Sequence, residues 1–118
     1  MPLLNNSEIA YNLGMYATAQ LIKQQKLLMC QSFEYKDLKF VFRVPYKLDY
    51  VFDGEYFVHE NDELDIVVRA ENFEKFLESF YEFMYVLWTE YAQAKDESLH
   101  TDAIEFKRLL LNMCEVTK

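Results

Sequence analysis

The chain has 118 residues, 20 acidic against 12 basic side chains, a formal net charge of −8, and a composition that is 52% hydrophobic and 17% aromatic. That length allows one domain whose core can fold without disulfide or metal staples, so residues 1–118 are read as a single domain. The negative balance disfavours direct nucleic-acid binding, which needs a basic footprint, and disfavours anionic membrane surfaces for the same reason.

With Gly 2 and Pro 2 there is little room for linkers or phosphate-cradling loops, and no internal repeat or low-complexity tract is present. The first residues, MPLLNNSE, lack the basic cluster and long apolar run of a signal peptide. The two cysteines, Cys30 and Cys114, do not make a disulfide framework and read as reduced core thiols. The expected location is therefore the cytoplasm, with no membrane span.

Asn6 or Ser7 can cap a first helix over about residues 7–30, with Glu8 at its positive end. Ala10, Leu13, Ala17, Leu21 and Leu28 share one face at helical spacing, widened by Tyr11, Met15 and Ile22. From Leu38 the period changes to two. Leu38, Phe40, Phe42, Val44, Tyr46, Leu48, Tyr50 and Phe52 are apolar at even positions, with mostly polar residues between them. Pro45 cannot donate to a ladder and is expected to split this run or to mark an edge. Asp53-Gly54 is a hairpin signal that folds residues 48–52 against 55–59, and residues 60–63 form a second turn before a strand over 64–69.

Residues 71–94 read as one long helix. Phe73, Phe76, Leu77, Phe80, Met84, Leu87 and Tyr91 fall on its core stripe. Glu71, Glu74, Glu78 and Glu82 fall on a narrower opposite stripe, with Tyr81, Tyr85 and Trp88 between the two. A polar loop over 95–100 leads to a last helix over about residues 101–115, capped by Thr101, with Ala103, Phe106, Leu110, Met113 and Cys114 inward and Lys107 and Arg108 solvated. The fold class is α+β in the order α-β-β-β(-β)-α-α: an antiparallel meander of three or four strands, about residues 38–69, packed against helices.

Catalytic and metal patterns are weak. His59-Glu60 begins like a metalloprotease motif but lacks the second histidine, and His100 sits in no ligand pattern. Asp62, Glu63 and Asp65 resemble part of a calcium loop without its glycine or distal glutamate. No nucleophile elbow surrounds Ser7, Ser32, Ser79 or Ser98. The expectation is a protein without enzymatic activity, cofactor or metal.

Charge is distributed unevenly. Residues 60–105 hold 13 acids against Arg69, Lys75 and Lys95, a net −10. The glutamate stripe places about one charge per 4 Å of helix, close to the roughly 3.4 Å spacing of phosphates along one DNA strand. The candidate partner surface is accordingly Glu71, Glu74, Glu78 and Glu82, flanked by Asp62, Glu63, Asp65, Asp96 and Glu97, with Tyr85 and Trp88 as apolar anchors.

In this region the sequence resembles small acidic phage-encoded anti-CRISPR proteins that inhibit Cas9-type effectors. The resemblance lies in element order over roughly residues 64–112. It includes Phe73-Glu74-Lys75-Phe76-Leu77, Phe80, Trp88, Glu90 and Tyr91, then an acidic loop and a short last helix. It does not extend to a signature motif. The chain is longer and more aromatic than those proteins, and carries Lys107 and Arg108 where a DNA mimic would favour acids. The resemblance implies a phage or mobile-element inhibitor that covers a basic nucleic-acid-binding surface of a host protein. The other reading is a structural or regulatory homodimer, in which the surplus aromatic surface pairs two copies.

Overall fold

A computed structural model describes residues 25–118. The expected first helix lies outside these residues over 7–24, and its last turn is corrected: residues 26–30 are strand, not helix. Strand β1 (Lys26–Tyr35) pairs antiparallel with β2 (Leu38–Phe52), placing Leu28 opposite Leu48 and Cys30 opposite Tyr46. A spacing of two between Leu28 and Cys30 puts both on the face of β2's core residues. The β1–β2 turn is only Lys36-Asp37, with Lys36 at φ 54°. Left-handed backbone is usually signalled by glycine or asparagine, so nothing in the sequence marked this hairpin.

Pro45 does not split β2. The register jumps from Cys30↔Tyr46 to Ser32↔Val41, so Gln31 alone faces residues 42–45, a bulge in which Pro45 is asked for no ladder hydrogen bond. On its other side, β2 pairs at one end with β3 (Phe57–Asn61) and at the other with β5 (Cys114–Thr117). The bent strand is thus the hub of a five-stranded antiparallel sheet in which β4 (Ile66–Ala70) follows β3.

The Asp53-Gly54 turn forms as its chemistry dictates. Gly54 takes φ 97°, and Asp53 Oδ1 accepts the Glu55 and Tyr56 backbone N–H groups at 2.9 and 2.7 Å. The next turn covers 62–65, with Asp65 at φ 54° and Asn61 Oδ1 accepting the Leu64 N–H at 3.0 Å.

The long helix is shorter and more structured than expected. Helix α1 spans Phe73–Leu87, and Asn72 caps it by accepting the Lys75 N–H at 2.8 Å, which leaves Glu71 outside the helix. A π-helical turn over Trp88–Ala92 follows, where the Gln93 N–H reaches the Trp88 carbonyl at 3.0 Å. There the Thr89 hydroxyl donates to the Tyr85 and Val86 carbonyls. After a 3₁₀ turn (Asp96–Ser98), helix α2 spans Thr101–Met113. Its N-cap is His100, not Thr101, and no side chain caps it.

Helix α2 stops at Met113, short of the expected 115, because Cys114 and Val116 join the sheet opposite Phe42 and Phe40. Arg43 fastens the junction. Its guanidinium donates to the Leu111 and Cys114 carbonyls and meets the Glu115 carboxylate at 2.8 Å.

The core fills the space between one sheet face and the helices. Phe40, Phe76 and Phe80 are fully buried with Leu48, Leu64, Ile66, Met84 and Leu110. Each such side chain contributes about 1.5–3 kcal/mol of burial. Phe33 lies stacked between Phe40, at 4.6 Å, and Tyr81, at 4.4 Å. Much of the aromatic surplus is therefore consumed inside the domain.

Candidate partner-binding surface

Helix α1 lies with Phe76, Phe80 and Met84 down on the sheet, so residues on its opposite side must point outward. Glu74, Glu78 and Glu82 do so, and Glu71 is exposed just before the cap. Three ion pairs occur among the described residues, and none involves these four glutamates. Glu74 to Glu82 spans about 12 Å at 1.5 Å per residue. Repulsion between neighbours at i,i+4 costs about 0.2–0.5 kcal/mol per pair. The row is a feature that helix stability alone does not favour.

The expected anchors separate. Tyr85 is half-buried at the edge of the row, its ring 5.4 Å from that of Tyr35, with the Lys36 ammonium 5.2 Å from the Tyr85 centroid. Trp88 is corrected: it is only 8% exposed and packs edge-on against Phe40 at 6.0 Å, so it belongs to the core. The apolar side chains that do stand beside the row are Phe83 and Val86, 37% and 45% exposed. With Ser79 and Glu82 they line a shallow groove of about 320 Å³. Their signal in the sequence was positional, since both lie off the core stripe, and they were hidden by being part of an apolar run.

The flanking acids fall in two places. Asp62, Glu63 and Asp65 are exposed in the β3–β4 turn, and Asp96 and Glu97 in the 3₁₀ turn before α2. Asp96 is not a free charge. Its carboxylate meets Lys107 Nζ at 2.9 Å, a hydrogen bond that holds the carboxyl below the usual range. Lys107 is correspondingly only 17% exposed and also donates to the Ala94 carbonyl, so it ties the loop to α2 instead of being solvated.

A second assembly was not foreseen. Past Val51 and Val58 the paired residues of β2 and β3 end, and His59, 2% exposed, lies between the strands. Its Nδ1 lies 2.6 Å from the Asp49 carbonyl and 3.0 Å from the Asp49 carboxylate, and its Nε2 lies 2.8 Å from the Tyr46 hydroxyl. Asn61 Nδ2 donates to the same hydroxyl at 2.9 Å. One proton arrangement satisfies every member: Asn61 to Tyr46, Tyr46 to Nε2, and Nδ1–H to Asp49. The chain runs between two clefts, one of about 370 Å³ bordered by Arg43, Tyr46, Lys47 and Asn61, the other of about 330 Å³ bordered by Gln25, Asp49 and Glu60.

Burial pushes the Tyr46 phenol up to about 12, and desolvation likewise raises the thiols of Cys30 and Cys114. These groups hold their protons, as structural members do. Among the described residues, no three His, Cys, Asp or Glu side chains are grouped so as to hold a metal ion, and no helix is long and apolar enough to cross a membrane. No family model matches the chain, and no curated protein or solved structure does.

Proposed function

We propose that the chain is a non-catalytic acidic binding protein, encoded by a phage or mobile element, that occludes a basic nucleic-acid-binding surface of a host protein. The observation that carries this reading is the row Glu74, Glu78 and Glu82, extended by Glu71: exposed carboxylates without an ion pair among the described residues, bordered by exposed Phe83 and Val86. Acids about 6 Å apart along one helix face steer a basic partner, and the apolar groove supplies area from which water can be excluded. Trp88 has no part in this surface, and Tyr85 only its edge.

The test is capture from a nuclease-treated bacterial lysate with the wild-type chain and with Glu74→Lys/Glu78→Lys as baits. The reading expects a nucleic-acid-binding protein held by wild type, released as salt rises, and absent from the variant. Equal retention by both baits would remove the acidic row from the interaction. Self-association alone would favour the homodimer.

A further inference from the structure

We infer that the cleft between the β3–β4 turn and the start of helix α2 binds an alkylammonium ion, the chemistry of a lysine side chain. Asp65 reaches this cleft from the turn, Leu87 from the end of α1, Tyr91 from the π-helical turn, and Asp102 and Phe106 from α2. Together they border a volume of about 330 Å³. Ligand pockets run from about 300 to 1,000 Å³, so this one suits a group of a few heavy atoms. Asp102 and Phe106 share one face of α2 because residues at i and i+4 lie side by side on a helix. The π turn buries Trp88 and Ala92 and leaves Tyr91 half-buried at the cleft, its ring edge-on to that of Phe106 at 5.0 Å.

The charge of the cleft is of one sign. Asp65 and Asp102 are exposed and enter none of the three ion pairs among the described residues, and no basic side chain borders the cleft. Lys107, next to Phe106 in the chain, is committed to the Asp96 carboxylate and the Ala94 carbonyl. The positive end of α2 favours the ionised form of Asp102. Such a lining repels anions. A hard divalent cation takes six or more oxygens, and among the described residues no third His, Cys, Asp or Glu is grouped with these two. Exposed acids alone would only be solvated; the aromatic pair in the same cleft selects an organic cation. An alkylammonium uses the whole lining, its hydrocarbon stem against Leu87 and Ala103 and its charge against the carboxylates and rings.

The probe is n-butylammonium, titrated into the isotopically labelled full-length chain and followed through the chemical shifts of Tyr91, Ala103 and Phe106. Saturable shifts in the millimolar range are expected, weakening as salt rises. Asparagine keeps the size of aspartate and tolerates the left-handed backbone of Asp65, at φ 54°, so Asp65→Asn preserves the turn. Asp65→Asn/Asp102→Asn is expected to weaken binding about tenfold, each exposed carboxylate supplying about threefold. Tyr91→Leu, which keeps apolar area but removes the ring, is expected to weaken it about threefold. Uncharged n-butanol is expected to produce no saturable shift. A second arm titrates a short glycine peptide with one central lysine. The same shifts from the peptide assign the cleft to a lysine of a partner protein, and shifts from the free amine alone assign it to small amines; either result supports the site. No saturable shift with the amine, an equal response to n-butanol, or amine binding unchanged in the double asparagine variant would overturn the inference.

Discussion

Replacing Tyr46 with Phe isolates one hydroxyl of the buried network. The ring contacts with Phe42 at 5.3 Å and Phe80 at 4.9 Å survive the change, so packing is conserved. Two hydrogen bonds are lost, each worth about 1 kcal/mol net, and Nε2 of His59 is left without its donor in a site 2% exposed. Asn61 is half-buried and can turn to water, so the cost is concentrated at the histidine. Together these give about 2–3 kcal/mol of destabilisation. Equilibrium urea unfolding at pH 8, with an unchanged slope, reads it directly. Tyr50→Phe, at a half-buried site facing Phe73 and Phe76, serves as the control and is expected to change little. A loss below about 0.5 kcal/mol for Tyr46→Phe would show that the hydroxyl makes no net contribution and would refute the bridging role.

Three further predictions concern other parts of the fold. Glu78→Lys turns two repulsive i,i+4 neighbours into attractive ones, partly offset by new repulsion from Lys75 at i−3, and is expected to stabilise the domain by about 0.5 kcal/mol at low ionic strength, a gain that salt erases; a clearly destabilised variant would contradict the exposed placement. Arg43→Ala is expected to fray the α2–β5 junction at a cost of about 1 kcal/mol, discounted because the guanidinium is 47% exposed; amide exchange should speed up at residues 114–117 first. Cys114, raised to about 12 from an ordinary 9.0, favours the folded state below pH 9 and loses that contribution as pH climbs toward 12, up to about 4 kcal/mol. Tyr46 adds a loss of the same sign between pH 10 and 12. Unfolding curves over this range should flatten in Cys114→Ala, and an unchanged slope would disprove the link.

The α+β class was legible because its main signals repeat: eight even-numbered positions from 38 to 52, and the stripe Phe76, Phe80 and Met84. Turn chemistry placed the Asp53-Gly54 hairpin for the same local reason. The missed elements lacked such redundancy. β1 follows a stretch whose apolar residues also satisfy helical spacing, so Leu28 belonged to two patterns at once, and only pairing with Leu48 decides between them. β5 has four residues, too few to show a period, and depends on Arg43 from 71 positions away. The site was half legible. Exposure of the glutamates followed from periodicity, whereas the burial of Trp88 depended on the π turn and on Phe40. The Asp49–His59–Tyr46 chain depended on strand splay, which a sequence pattern does not carry.

The central claim is that the acidic side of α1 competes with nucleic acid for a basic surface. It is tested most directly by binding a fluorescently labelled duplex to the captured host protein and adding this chain. Wild type is expected to release the duplex, less so as salt rises, while Glu74→Lys/Glu78→Lys, its fold verified by circular dichroism, leaves it bound. Release by the variant equal to that by wild type, or no release by either, would contradict the account.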